Sequence, residues 1–222
     1  MATTPETPTP DVSVFQANTE LLLEWLQRTP NIERALDIAQ VLHRRQTYGD
    51  EPYMNHLLRV ALIVQDGGYP QELVVAALLH DAPEDQGLDI KAIAKEFGSY
   101  CAEVIENVTY WKGIETLSKF DKACKLDGSL VVKRADNEVN YQKTLSELET
   151  EDFSQKHYDR NVAMRGNLAS RKKPQVEEIE QELAVFNRIE EEFGVFIPLG
   201  RRAVASASAG LLVPVDAPQR AA

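Results

Sequence analysis

Apolar positions recur at three- and four-residue spacing over most of the chain, a period that predicts helices and not strands. Phe15, Leu21, Leu22, Trp25 and Leu26 predict a helix over 15–29, which Pro30 ends while Asn31 caps the next. Ala35, Ile38, Ala39 and Leu42 form the stripe of a second helix over about 32–45. Gly49 and Asp50 mark a loop, and Pro52 takes the first turn of a third helix, where proline is tolerated. That helix turns Tyr53, Leu57, Val60, Ala61 and Val64 inward with His56, and ends at Gly67 and Gly68. Pro70 opens a fourth helix, about 73–82, apolar nearly all round, as a central buried helix is. Further helices are predicted over 90–97, 100–109, 117–124, 130–148, 152–167 and 176–193, with Gly98 as a C-terminal cap between two of them. No alternating run and no internal repeat stands out. The pattern predicts an all-α fold: one multi-helical domain over 15–200, a Thr- and Pro-rich disordered leader over 1–14, and a flexible Ala-, Ser- and Pro-rich tail over 201–222.

Composition narrows the setting. A chain of 222 residues, 43% hydrophobic, is long enough for one well-buried core. It has no run of about 18 apolar residues to span a bilayer, and residues 1–11 hold no apolar segment of the kind a secretory signal needs. Cys101 and Cys124 make no disulfide framework and suit a reducing cytoplasm. A formal net charge of −11 repels a long polyanion, which argues against nucleic-acid binding. A small phosphorylated nucleotide is compatible with that charge if a local basic pocket and a metal receive it. The sequence leaves homo-oligomerisation open.

The chemistry concentrates in His80-Asp81-Ala82-Pro83-Glu84-Asp85, directly after the apolar run Val74–Leu79. Burying unpaired charge is expensive, whereas a metal neutralises carboxylates and uses imidazole lone pairs. Neighbouring helical residues diverge by about 100°, so His80 and Asp81 reach one ion only near a helix end. Pro83 supports such an end, since it cannot donate to the Leu79 carbonyl. His56 on an earlier inner face and Asp136 after Val131-Val132 complete a set of two imidazoles and two carboxylates. That mixed nitrogen and oxygen set suits Mn²⁺, Fe²⁺ or Co²⁺ better than Ca²⁺.

Five stretches carry a resemblance: Glu51-Pro52-Tyr53-Met54-Asn55-His56; Ala76 through Asp85; Glu96-Phe97-Gly98; Val104 through Thr109; and Val132-Lys133-Arg134-Ala135-Asp136 with Asn140 four residues on. In order and spacing they resemble the RelA/SpoT-type alarmone hydrolases, especially the small members without a synthetase domain, from about Ala35 to Asn140. The resemblance implies that His56, His80, Asp81 and Asp136 hold manganese and that Glu84 and Asp85 activate the attacking water. It places Asn140 on the nucleotide sugar, Lys112 on a phosphate and Tyr158 near the substrate. The implied reaction is loss of the 3′-pyrophosphate from guanosine tetraphosphate-like alarmones.

The loop Gln46-Thr47-Tyr48-Gly49-Asp50-Glu51 departs from the family. It is one residue short, and Tyr48 stands where an arginine stacks on guanine. Tyr48 can stack on a base without bringing charge. Leu57 replaces the usual proline, and Asn137-Glu138-Val139 replaces the usual Arg-Leu-His. These changes spare the metal chemistry and bear on the base. They keep alive a phosphohydrolase acting on another nucleotide, such as an adenine alarmone, NADPH or a nucleoside triphosphate. A non-catalytic nucleotide-binding regulator is a third reading, against which the intact Glu84-Asp85 pair argues. His43 reads as a surface or capping histidine, His157 as exposed, Arg171-Lys172-Lys173 as a loop, and at least half of Lys112, Lys119, Lys122, Lys133 and Arg134 as solvated.

Overall fold

The computed structural model describes residues 13–111, 118–151 and 153–196. In chain order its elements are α1 (Thr19–Trp25), α2 (Pro30–His43), β1 (Thr47–Tyr48), β2 (Glu51–Pro52), α3 (Tyr53–Asp66), α4 (Gln71–Leu79), α5 (Ala82–Gln86), α6 (Ile90–Phe97), α7 (Ser99–Val108), α8 (Lys119–Ala123), α9 (Asp127–Ser146), α10 (Gln155–Ala169) and α11 (Val176–Phe193). The expected all-α class holds. Among the described residues, the one hairpin is an addition the apolar pattern misses: Thr47 pairs with Pro52 and Tyr48 with Glu51, antiparallel. Gly49 turns it with φ +65°, a left-handed conformation that side chains with a Cβ rarely adopt.

α4 is the centre, as its unbroken apolar run predicts. Leu73 through Leu79 are all buried, and α4 packs against α2, α3, α7 and α9. α6 and α11 are found over the predicted spans. Gly98 ends α6 with φ +89° and ψ 162°, and its N–H donates to the Ala94 carbonyl.

Several boundaries differ from the sequence reading, each for a local reason. The first helix covers only Thr19–Trp25, because the Asn18 side chain accepts the Leu21 N–H and starts it there. Phe15 lies in the preceding turn, where the Ser13 carbonyl accepts the Gln16 N–H. Pro30 is not a stop but the first residue of α2, capped by Thr29 and not by Asn31. Pro52 precedes α3 and closes the hairpin. The predicted helix over 73–82 ends at Leu79, and a second short helix restarts at Ala82. His43 is 2% exposed, not a surface residue. Its ring stacks on Tyr53 at 5.0 Å and its Nδ1 bonds Gln46 Oε1.

The expected leader lies outside the described residues except for Ser13 and Val14, and the expected tail lies wholly outside them. Among the described residues no helix is long and apolar enough to cross a membrane.

Candidate functional site

The break after Leu79 builds the site. His80 closes α4, Asp81 fills the turn, and Pro83 stands in the first turn of α5. Two neighbouring side chains thus leave the helix axis and converge, as the adjacency argument requires. α3 brings His56 to the same point and α9 brings Asp136.

His80 Nε2 lies 3.0 Å from Asp81 Oδ2 and 3.7 Å from Asp136 Oδ1. His56 Nε2 lies 3.5 Å from each of these oxygens. Atoms of His56, His80 and Asp136, all buried, fall within 4.8 Å of one another, a grouping that could hold a metal ion. Asp81, a quarter exposed, adds its carboxylate beside both imidazoles. Its Oδ2 accepts a 2.5 Å hydrogen bond from the Tyr53 hydroxyl.

The surroundings fit a cation. His80 Nδ1 bonds the Ala77 carbonyl at 2.7 Å, which puts the proton on Nδ1 in the neutral ring and aims the Nε2 lone pair at the carboxylates. Buried His80 Nε2 nevertheless makes no hydrogen bond. Burial lowers the His80 pKa, but Asp81 and Asp136 outweigh it and raise it to about 10. Burial would raise Asp136, yet Lys133 and His80 hold it far below the usual carboxylate range. Burial would raise Asp81 too, and His80 and His56 hold it low. The carboxylates select positive charge at this point, and a divalent ion can take the place of the proton.

Glu84 and Asp85 line the same cavity, of about 260 Å³, as His56, Asp81 and Asp136. Glu84 Oε2 accepts the Tyr110 backbone N–H at 3.0 Å, and Lys119 Nζ lies 3.3 Å from Oε1. Asp85 Oδ2 accepts from Gln46 Nε2 at 2.7 Å. Asn140 also lines the cavity and donates to Asp136 Oδ1. Tyr48 lines instead a neighbouring cleft of about 1030 Å³ between the hairpin, α9 and residues 13–19. Tyr158, half-buried between Tyr141 and Phe153, is not part of the cavity wall. Lys112 lies outside the described residues, and His157 is exposed.

Sequence reasoning misses three contributors. It counts Tyr53 as core, whereas the hydroxyl holds Asp81. Buried Asn161 of α10 lines the cavity and donates to the Asn140 carbonyl, and the polar run around it carries no signal. Lys133, one of five basic residues of which at least half are expected to be solvated and none is singled out, is buried in the cavity wall and bonds Asp136 Oδ2 at 2.5 Å.

A helical domain built around a buried histidine–aspartate centre at the break of its central helix defines a metal-binding class. The chain belongs to the HD-domain family, whose model matches residues 35–146. It is similar to the guanosine-3′,5′-bis(diphosphate) 3′-pyrophosphohydrolase of Aquifex aeolicus, 36% identical over 100 residues, covering 45% of this chain and 14% of that one. A probable enzyme of the same name from Synechocystis is 36% identical over 89 residues, covering 40% and 11%. The chain therefore spans only a minor part of these relatives. The solved structure of a metazoan ortholog of SpoT shares the fold, with a TM-score of 0.55 at 20% identity, covering 72% of this chain and 97% of that one.

Proposed function

We propose that the protein is a metal-dependent phosphohydrolase that removes the 3′-pyrophosphate from guanosine tetraphosphate-like alarmones. The observation that carries this is the grouping of Glu84 and Asp85 in one cavity with His56, Asp81 and Asp136, with His80 completing the cluster. The relatives named 3′-pyrophosphohydrolases support the substrate.

His56, His80, Asp81 and Asp136 would hold one divalent ion, Mn²⁺ by resemblance, with Fe²⁺ or Co²⁺ compatible with the same donors. When bound, such an ion supplies Lewis-acid stabilisation of phosphate charge and lowers the pKa of a nearby water. Glu84 accepts the proton of the attacking water at Oε1, its other oxygen being tied to the Tyr110 N–H. Asp85 orients that water. Lys119 and Lys133 in the cavity wall attract the phosphate groups. Asn140 contacts the sugar, and by the same resemblance Lys112 contacts a phosphate; Tyr158, which packs against Tyr141 and Phe153 outside the cavity wall, is given no such role. Water adds to the 3′-linked phosphorus and the bond from that phosphorus to the sugar 3′-oxygen breaks; the 3′-oxygen takes up a proton, so the products are pyrophosphate and guanosine 5′-diphosphate. The free cysteines Cys101 and Cys124 fit a reducing cytoplasm.

One observation favours a broader base preference. Tyr48 lines the large cleft in place of an arginine, with Lys143 Nζ 6.0 Å from its ring centroid. A neutral ring stacks on any purine for about 1–3 kcal/mol, so guanine should be preferred over adenine less strongly than in relatives with the arginine. The Mn²⁺-loaded protein, incubated with guanine and adenine alarmones, NADPH and GTP and analysed by mass, is expected to yield pyrophosphate from both alarmones. Inactivity on both, with turnover of a nucleotide lacking a 3′-phosphate, overturns the alarmone reading.

A further inference from the structure

Tyr48 does more than face the large cleft. Its hydroxyl donates to Asn140 Oδ1 at 3.0 Å. Asn140 Nδ2 in turn donates to Asp136 Oδ1 at 2.5 Å and to the Asp136 carbonyl at 3.0 Å. Asp136 Oδ1 is the oxygen that meets both imidazoles, at 3.5 Å and 3.7 Å, while Oδ2 is occupied by Lys133. A carboxamide has one accepting end and one donating end. A hydroxyl donating to Oδ1 therefore fixes Nδ2 against the carboxylate, and a flipped amide would set two oxygens against each other. The same residue also packs its ring on His56, with centroids 4.7 Å apart. One side chain of the hairpin thus touches one member of the histidine–aspartate cluster and reaches a second through a single intermediary.

We infer that Tyr48 is a positioning residue of the metal centre, acting through Asn140 to hold the metal-facing oxygen of Asp136. The inference rests on the metal reading proposed above. It assigns the tyrosine a task that an aromatic ring stacking on a base would not need, namely its hydroxyl. The residue that departs from the family pattern is then part of the support for the ligands and not only of the cleft wall.

The test is a Mn²⁺ titration of the metal-depleted full chain at fixed pH, without nucleotide, on wild type, Tyr48→Phe, Asn140→Ala and the double variant. Circular dichroism checks that each keeps its helix content. Losing a group that orients a ligand costs roughly 10-fold or more in metal affinity, so each single variant is expected to bind about 10-fold more weakly. The double variant is expected to bind no more weakly than Asn140→Ala alone, because the hydroxyl reaches Asp136 through that amide, and its second, longer contact, 3.5 Å to the Val139 carbonyl, meets no member of the cluster. A merely structural role for Tyr48 would instead multiply with the loss of Asn140. Wild-type affinity in Tyr48→Phe, or multiplied losses in the double variant, overturns the inference and leaves the metal reading standing. No Mn²⁺ binding by wild type overturns both.

Discussion

At the scale of single residues, Glu84 and the ligand set make separable demands. Glu84 accepts a backbone N–H and faces Lys119, and it is not among the atoms grouped for metal binding. Glu84→Gln preserves volume and an acceptor for the Tyr110 N–H but cannot take a proton. It is expected to retain wild-type metal content and lose about 100-fold or more in kcat, the usual scale for a general base. Metal analysis beside steady-state kinetics checks both halves; near-normal turnover with full metal content places the base elsewhere.

Elements set the positions that these residues need. Had α4 continued through Asp81, the His80 and Asp81 side chains would diverge by about 100°. The turn between Leu79 and Ala82 brings Asp81 Oδ2 to 3.0 Å from His80 Nε2. A second junction, between α6 and α7, rests on Gly98, whose φ of +89° and ψ of 162° is a conformation essentially restricted to glycine. A Cβ there would sit in ordinary contact, 3.5 Å from Oε1 of Glu190 on α11, the oxygen that accepts the Ser99 N–H, so the cost of a side chain lies in the backbone conformation. Gly98→Ala is expected to destabilise the chain by about 1–3 kcal/mol while leaving metal affinity unchanged. Urea unfolding with an unaltered m-value would show it; a loss below about 0.5 kcal/mol, within the range of ordinary surface substitutions, would mean that the junction relaxes freely.

Across the whole molecule the site joins α3, the turn after α4, and α9, so an ion bound there braces three central segments against one another. Binding to the folded chain alone adds about 2.7 kcal/mol at a metal concentration 100 times Kd. For a chain of this size that corresponds to a rise in Tm of roughly 5–10 °C. The effect should depend on pH. In the ion-free protein the His80 pKa is raised to about 10. Its charged form therefore stabilises the ion-free fold fully below the unfolded value near 6.5 and loses that contribution as pH rises through about 10. An ion must displace this proton, so the Tm rise given by Mn²⁺ should be larger at pH 8.5 than at pH 6.5. Thermal unfolding with and without Mn²⁺ at the two pH values checks it, and a rise independent of pH would mean that no proton leaves His80.

Whatever local pattern governs is legible along the chain. The 3.6-residue apolar period set the helix class, the unbroken run Val74–Leu79 set the buried centre, and His80, Asp81 and Pro83 in succession set a helix end with two donors beside it. Contacts between residues far apart along the chain come from packing instead. Tyr53 reaches Asp81 across 28 positions, Tyr48 reaches Asn140 across 92, and Asn161 reaches the Asn140 carbonyl across 21. Periodicity turns Tyr53 inward, but it names no hydrogen-bond partner for any of these residues. His43 divides differently: it continues the buried stripe Ile32, Leu36 and Ala39 of α2, so the helical period carries it inward, while its stacking on Tyr53 comes from packing between helices. Short-range periodicity fixes which face of each helix turns inward, whereas the partner of a polar group is fixed by which helices meet, and that depends on how the whole apolar surface is buried at once.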